Sequence, residues 1–187
     1  MSLALLAGMA AEANAYTVTV TPADQTTSVG SEISVAVTVG DVFPGGLGSY
    51  NLDLSFQGGV LGFDRVVDGM GMGGAFGLTY ALNGDVLSLT DTSLDDVDTL
   101  LASQSASFTL FTVYFDALSE GTSFLRLSGM TLADAWGVSE WGVSGTDGSV
   151  TVQSVSAVPE PGTFPLILLG GIACVWAGRR NAARART

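Results

Sequence analysis

Apolar and polar residues alternate one by one along most of the chain after residue 15. A period of two is typical of a β-strand with one buried side, because successive side chains point to opposite sides of a sheet. In segment 33–39 every second residue is isoleucine or valine, and serine, alanine and threonine occupy the other positions. Similar patterns, with a less regular apolar stretch at 61–67, predict further strands at 16–21, 47–56, 78–82, 86–89, 106–115, 121–128 and 148–155.

Turn residues separate these strands. Asn83-Gly84 lies between two of them and predicts a β-hairpin, since both positions of such a turn must accept a positive φ. Segment 22–30 is polar with proline and glycine at its ends, which indicates a turn. The glycine-rich segment 68–77 has too little side-chain volume for an interior element and is predicted to be a loop.

Two segments depart from simple alternation. Segment 106–115 is apolar on both sides, which predicts a central strand covered on both faces. Residues 97–102 fit either one helical turn or a bulged edge. About nine short strands with almost no helix indicate an all-β sandwich rather than an α/β enzyme fold.

The N-terminus resembles an export signal. Residues 3–10 are apolar, and Ala13 and Ala15 form an A-x-A cleavage site, so a signal peptide is predicted at 1–15. No lysine or arginine precedes Arg65, so the basic start of such a peptide is missing and the signal peptide looks truncated. The alternative is a frayed apolar N-terminus.

The C-terminus combines three signals. Segment 156–162 reads as a linker and contains Val158, Pro159, Glu160 and Pro161. The sixteen residues 163–178 are apolar, and as a helix they would be about 24 Å long, which is workable for a hydrocarbon core of about 30 Å. The arginines of segment 179–187 favour a cytoplasmic location for this end of the chain; they are Arg179, Arg180, Arg184 and Arg186. A transmembrane helix is therefore predicted, with a buried C-terminal helix as the alternative.

Composition narrows the classes of function. The net charge is −12, and the body between the two terminal segments has only Arg65 and Arg126 as cations. Nucleic acid is excluded as a partner, because its binding depends on neutralising phosphates. The chain has no histidine and no lysine, so the usual roles of those side chains in catalysis and metal binding are unfilled. The one cysteine, Cys174, lies in the apolar tail, so the body forms no disulfide.

The body resembles a cohesin-type domain. The resemblance is carried by Gly-Leu-Gly-Ser-Tyr-Asn-Leu-Asp-Leu-Ser-Phe at 46–56, Val-Leu-Gly-Phe-Asp at 60–64 and the strand pattern of 106–118, and it extends over 16–155. It implies a jelly-roll β-sandwich related to carbohydrate-binding modules. It also implies a binding domain rather than a catalyst, since cohesins in cellulosomes bind dockerin modules through one sheet face.

The tail resembles the PEP-CTERM sorting segment of Gram-negative, exopolysaccharide-producing bacteria, which is also labelled an ice-binding protein C-terminal domain. The resemblance rests on the Val-Pro-Glu-Pro motif at 158–161, the apolar span and the arginine-rich end. It implies that an exosortase-type sorting protease recognises the segment at the inner membrane and cleaves near the motif. The body would then be released to the cell surface or extracellular matrix.

Four closely spaced carboxylates suggest a calcium site, because Ca²⁺ binds six to eight oxygen ligands. They are Asp91, Asp95, Asp96 and Asp98. An EF-hand needs glycine at its sixth position and glutamate at its twelfth, whereas these positions, counted from Asp91, hold Asp96 and Ala102. A solvated acidic loop is the alternative, and no other cofactor is expected.

Other residue types suggest carbohydrate chemistry. A glycosidase needs two carboxylates across a cleft; nothing marks a pair among Asp53, Asp64, Asp134 and Glu140, so no enzyme activity is expected. Aromatic side chains stack on sugars in binding modules or pack in cores; the candidates are Trp136, Trp141, Tyr50 and Tyr80.

Together these features predict an exported, non-catalytic protein whose cohesin-like domain binds a surface protein, with the tail passing transiently through the inner membrane. Two alternatives stay open: an exopolysaccharide-binding module and a passive structural component of the matrix.

Overall fold

A computed structural model describes residues 16–154, apart from Ala75 and Trp141. These residues form two β-sheets and one short helix. The strands are β1 Thr17–Thr21, β2 Asp24–Ser28, β3 Glu32–Gly40, β4 Ser49–Ser55, β5 Leu61–Asp68, β6 Thr79–Asn83, β7 Val86–Thr92, β8 Phe108–Ala117, β9 Gly121–Ala133, β10 Ser144–Thr146 and β11 Gly148–Gln153. The helix α1 spans Val97–Ser103.

The sheets have five and six strands. The five-stranded sheet has the order β10-β1-β3-β8-β5, and the six-stranded sheet has the order β2-β11-β9-β4-β7-β6. Neighbouring strands are antiparallel except for β1 with β10 and β2 with β11, which are parallel. The predicted all-β sandwich is confirmed, with eleven strands in the described residues instead of about nine.

The two strands that the pattern missed are both at sheet edges. β2 has the sequence Asp-Gln-Thr-Thr-Ser and lies inside the predicted turn 22–30, and β10 has only three residues. Neither strand buries a complete apolar side, so neither has the alternation on which the prediction depended.

The core lies between the inward sides of the two sheets. β3 contributes Ile33, Val35, Val37 and Val39, which confirms the pattern of 33–39. The rings of Phe56 and Phe115 meet across the sandwich with centroids 5.0 Å apart. Further buried side chains come from nearly every strand: Val18, Val20, Tyr50, Leu52, Leu54, Leu61, Leu87, Leu89, Phe111, Val113, Leu125, Val150 and Val152.

Strand β8 is covered on one side only, so the prediction for 106–115 was wrong. The pairing of β8 with β3 shifts at a β-bulge, where Val37 lies opposite Phe111 and Thr38 opposite Thr109. The extra residue, Leu110, lets two consecutive side chains enter the core and inverts the alternation. The leucine, valine and phenylalanine residues at both odd and even positions of 106–115 therefore belong to one buried side, whose alternation shifts by one residue at the bulge.

The hairpin predicted at Asn83-Gly84 is confirmed with a shift of one residue. Asn83 pairs with Val86, so the turn residues are Gly84 and Asp85. Gly84 has a φ of +61°, as expected for a type II′ turn, which has glycine at its first central position only.

The glycine-rich segment forms a loop as predicted, except that Met72 is buried in the core. At Gly71 a Cβ atom would lie 1.9 Å from the ring of Phe108, so only glycine fits this approach. Residues 97–103 form α1, which agrees with the helical alternative for 97–102.

The predicted terminal segments lie outside the part of the chain that the structure describes. No helix within 16–154 is long and apolar enough to cross a membrane. The signal peptide at 1–15, the linker at 156–162, the helix at 163–178 and the basic tail at 179–187 lie outside the described residues.

Candidate functional site

The outward side of the six-stranded sheet forms a broad polar surface, which we call the six-stranded face. Strand register places Asn51 beside both Thr90 and Thr131, and Asp53 beside both Ser88 and Ser128. The face is defined by the outward residues of four strands: Thr79, Ala81, Ser88, Thr90, Asn51, Asp53, Ser55, Thr122, Phe124, Arg126, Ser128 and Thr131.

Alternation within β4 fixes the central part of this face. Tyr50, Leu52 and Leu54 are buried in the core, which directs Asn51 and Asp53 outward. The hydroxyl of Ser88 donates to Asp53 over 2.6 Å, and that of Thr90 donates to the carbonyl of Tyr50 over 2.9 Å. These bonds hold polar side chains in place across neighbouring strands.

Phe124 and Arg126 add an aromatic ring and a positive charge to this polar face. The side chain of Phe124 is 50% exposed, and the guanidinium of Arg126 lies 5.7 Å from the centre of its ring. Arg126 takes part in no ion pair among the described residues. An exposed aromatic ring beside an arginine without a carboxylate partner is typical of the residues that dominate protein–protein binding energy.

A depression lies on the same face beside strand β6. Its volume is about 230 Å³, and Asn51, Thr79, Tyr80 and Thr90 are among the residues that line it. Pockets for drug-sized ligands usually hold about 300–1,000 Å³. The depression is therefore better suited to one protruding side chain than to a whole small molecule.

The outward side of the five-stranded sheet, which we call the five-stranded face, also has one arginine. Unlike Arg126, this arginine is ion-paired. Arg65 is ion-paired with Glu32 over 2.7 Å and also with Asp64. Its guanidinium lies 3.8 Å above the ring of Tyr114. The hydrogen bond from Arg65 lowers the pKa of Glu32 below its ordinary value. The charge of this arginine is already matched within the domain.

The four aspartates proposed for calcium do not form a common site. No group of three or more acidic side chains within the described residues is arranged to hold a metal ion. Asp96 is the N-cap of α1 and accepts bonds from the amide and hydroxyl of Thr99 at 3.0 and 2.9 Å. Asp98 lies in the first helical turn, and Asp95 accepts from the amide of Gly74 over 2.9 Å. Their roles in loop and helix structure separate residues that are close in sequence.

Asp91 points into the protein from β7. One carboxylate oxygen accepts from the amide of Thr92 over 2.7 Å, and the other is buried with no hydrogen-bond partner among the described residues. Burial raises the pKa of Asp91, and the charge of Asp68 adds to the effect. The hydroxyl of Tyr50 is also buried and has no partner within the part of the chain that the structure describes, and burial raises its pKa.

The candidate sugar-stacking residues have different surroundings. Tyr50 is buried and stacks on Phe111 with ring centroids 6.2 Å apart, so its candidacy was wrong. Tyr80 is half exposed at the sheet edge, and Trp136 is 59% exposed in the loop after β9. Trp141 lies outside the described residues. The described candidates form no row on one sheet face.

The candidate glycosidase carboxylates also lie in separate surroundings. Asp53 is on the six-stranded face, and Asp64 is beside Arg65 on β5. Asp134 accepts from the amides of Trp136 and Val138 at 2.9 and 2.8 Å, which shapes the loop after β9. Glu140 lines a different depression, together with Met130 and Val143. Among the described residues, these four candidates are not brought together in one depression.

Sequence reasoning did not single out Phe124 and Arg126 as functional residues. A signal was present, because both occupy the polar phase of segment 121–128, opposite the buried Leu125. It also missed Gln104, whose side chain accepts from the amide of Leu47 over 2.7 Å and donates to its carbonyl over 2.8 Å. Gln104 thereby fixes the segment that leads into β4.

Residues 157–181 match the model of the PEP-CTERM protein-sorting motif. The chain carries a PEP-CTERM sorting motif. The match includes Val158, Pro159, Glu160 and Pro161, so the resemblance noted for the tail is confirmed. No curated protein sequence matches the chain significantly.

Several solved structures share the fold of the sandwich. A non-cellulosomal cohesin from Archaeoglobus fulgidus has a TM-score of 0.60 and 23% identity, covering 75% of this chain and 92% of its own. A chain from a type I cohesin–dockerin complex of Clostridium thermocellum has a TM-score of 0.63 and 12% identity, covering 75% and 100%. A type I cohesin from Pseudobacteroides cellulosolvens has a TM-score of 0.62 and 14% identity, covering 78% and 97%. The sandwich has a cohesin-like fold.

Proposed function

We propose that the chain is an exported, non-catalytic binding protein whose sandwich holds a protein partner on the six-stranded face. The observation that carries this proposal is the pair of Phe124 and Arg126 on a largely polar surface. Aromatic residues and arginine are enriched at protein interfaces, where they supply most of the binding energy. The separation of the candidate glycosidase carboxylates supports a role without catalysis.

The surroundings of Arg126 indicate the chemistry of the partner. The guanidinium offers a fork of donors that suits a carboxylate, and Phe124 offers an adjacent apolar surface. Asp53 lies on the same face. It is two residues before Ser55, which pairs with Arg126, and its carboxylate suits a cation. We therefore expect a partner surface that places an acidic group and an apolar group side by side. The resemblance to cohesins, one of them from a complex with a dockerin, supports a protein partner.

The terminal segments supply the proposed route to this partner. The signal peptide at 1–15 directs export and is removed after Ala15, and the helix at 163–178 then holds the chain in the inner membrane. The arginines at 179–187 keep the tail cytoplasmic and the acidic domain outside. An exosortase-type protease cleaves near the motif at 158–161 and releases the domain to the cell surface or matrix.

Mass spectrometry of the cell-surface fraction tests the sorting step. The mature protein should begin at Tyr16 and lack residues 179–187. Replacement of Pro159-Glu160-Pro161 by three alanines should leave the intact tail in the membrane fraction. An intact C-terminus in the surface fraction of the unaltered protein would indicate permanent anchoring instead.

A pull-down tests the binding step. The full chain, held in detergent micelles, should recover a protein from surface extracts of its host, and Phe124→Asp should lose it. Recovery that is unchanged by Phe124→Asp would place binding elsewhere on the domain. Failure to bind either protein or glycan would support the passive structural alternative.

A carbohydrate ligand is the second candidate, and Trp136 favours it. This exposed ring lines a depression of about 240 Å³ together with Ser49, Thr92 and Asp95, whose polar groups suit sugar hydroxyls. A glycan array with the full chain, repeated with Trp136→Ala, separates the two candidates. Glycan signals that vanish in Trp136→Ala and persist in Phe124→Asp would establish the sugar site.

A further inference from the structure

The four edge strands of the sandwich differ in how well they are protected from pairing with another chain. Natural edges are usually short, charged or bulged, since an open edge presents unpaired backbone groups. β10 has three residues, β2 begins with Asp24, and β5 has a bulge beside Asp64 and Arg65. β6 has the sequence Thr-Tyr-Ala-Leu-Asn and has none of these protections.

The register of the hairpin shows which backbone groups of β6 are open. Asn83 and Val86 flank a two-residue turn, so they form a hydrogen-bonded pair. Alternation then turns the backbone N–H and C=O groups of Tyr80 and Leu82 away from β7. β6 has no other strand neighbour among the described residues. Four backbone groups are thus available to an added strand.

The side chains beside these groups are apolar and incompletely covered. Tyr80 is 51% exposed and Leu82 is 44% exposed, although both point toward the core side of the sheet. The ring of Tyr80 packs on Phe63 of the opposite sheet with centroids 5.7 Å apart. The opening between the two sheets therefore exposes an apolar strip along β6.

Charge favours a foreign segment over a second copy of this domain. Only two of the eighteen acidic residues, but four of the six cationic ones, lie outside 16–154, so the domain is strongly acidic. Asp85 is the second residue of the hairpin turn that follows β6. Two such edges brought together would place like charges in proximity, whereas a basic segment would be attracted.

We propose that β6 is a docking edge that pairs with an extended, basic segment of a partner protein. The segment adds a seventh strand to the six-stranded sheet and alternates apolar with polar residues. Its apolar side covers Tyr80, Leu82 and Phe63, and its backbone bonds to Tyr80 and Leu82. This site is an edge rather than the six-stranded face, and it does not depend on the function proposed for that face.

A synthetic peptide with the sequence Lys-Val-Thr-Val-Thr-Val-Lys is the probe for this edge. Its binding to the full chain in detergent micelles is measured by fluorescence anisotropy. Leu82→Pro removes the outward amide, and proline is tolerated where an edge N–H faces solvent. Leu82→Ala is the matched control, because it shortens the same side chain and keeps the amide. Leu82→Pro should bind about tenfold more weakly than Leu82→Ala.

A second probe leaves the protein unchanged, in case Leu82→Pro does not fold. Methylation of alternate backbone nitrogens removes the donors from one edge of the peptide and should abolish its binding to the unaltered chain. Equal binding of the methylated and unmethylated peptides would overturn the proposal, as would equal affinity of a folded Leu82→Pro and Leu82→Ala. A concentration-dependent dimer that Leu82→Pro dissolves would identify a second copy as the occupant and would also overturn it.

Discussion

The two outer faces of the sandwich each contain one arginine, and they use it differently. On the five-stranded face, Arg65 is bound by Glu32 and Asp64 and lies over Tyr114. On the six-stranded face, Arg126 contacts the ring of Phe124 and has no ion pair among the described residues. An arginine whose charge is already neutralised offers little to a partner. An arginine without an ion pair, in an otherwise acidic domain, can still bind a carboxylate of the partner. This difference supports the proposal that the six-stranded face is the binding face.

The largest expected effect on the free energy of unfolding comes from a substitution in the core between the two sheets. Phe115→Ala removes a buried ring from the five-stranded sheet and should lower the free energy of unfolding by about 3–5 kcal/mol. Phe124→Ala removes an exposed ring from the six-stranded face and should change stability by less than about 0.5 kcal/mol. Denaturant unfolding of the full chain measures both variants. An equal decrease in the free energy of unfolding for both variants would mean that Phe124 stabilises the fold, which would contradict its proposed role in binding a partner.

A smaller effect is expected from Asp91, beneath the six-stranded face. Because its pKa is raised in the folded protein, its ionisation destabilises the fold, and stability falls as the pH rises from its ordinary value of 3.8 through the folded value. Asp91→Asn cannot ionise and should escape this fall. The melting temperature of the variant should exceed that of the parent at pH 7, and the gap should narrow toward pH 4. A gap that is constant with pH would contradict the buried, ionising carboxylate.

The smallest effect is expected from Glu32 on the five-stranded face, with the opposite sign. Arg65 lowers the pKa of Glu32, so its contribution to stability is present above the ordinary value of 4.5 and is lost as the pH falls through the folded value. Glu32→Gln should therefore have a slightly lower melting temperature at pH 7. Because both side chains are about half exposed, the difference should shrink in high salt. A salt-independent difference would mean that the ion pair is not its source.

Alternation of residue types was enough to predict the core and the class of fold. Ile33, Val35 and Val37 and their counterparts on β4 are inward because burial of one side is the main constraint on a strand. The bulge at Leu110 was not predictable in this way, since it exists only in the pairing of β8 with β3. The edge strands β2 and β10 were missed because polar residues are compatible with both an edge and a loop.

The candidate site was harder to predict than the fold. Phe124 on β9 and Asn51 on β4 share a face only because β9 and β4 are neighbours in the sheet, and strand order is a property of the whole chain. The different positions of the aspartates at 91–98 were hard to predict for a related reason. One lies at the end of a strand, pointing inward, and another caps a helix, so closeness in sequence did not bring their oxygens together.

The most direct test compares the two arginines in one binding measurement. Arg126→Gln and Arg65→Gln change the net charge of the full chain equally, so long-range electrostatics are matched between them. Affinity is measured for the protein recovered in the pull-down, using the full chain in detergent micelles. Arg126→Gln should weaken binding by about tenfold with little change in melting temperature, and Arg65→Gln should leave binding intact. Loss of binding in Arg65→Gln with full binding in Arg126→Gln would contradict the assignment of the six-stranded face.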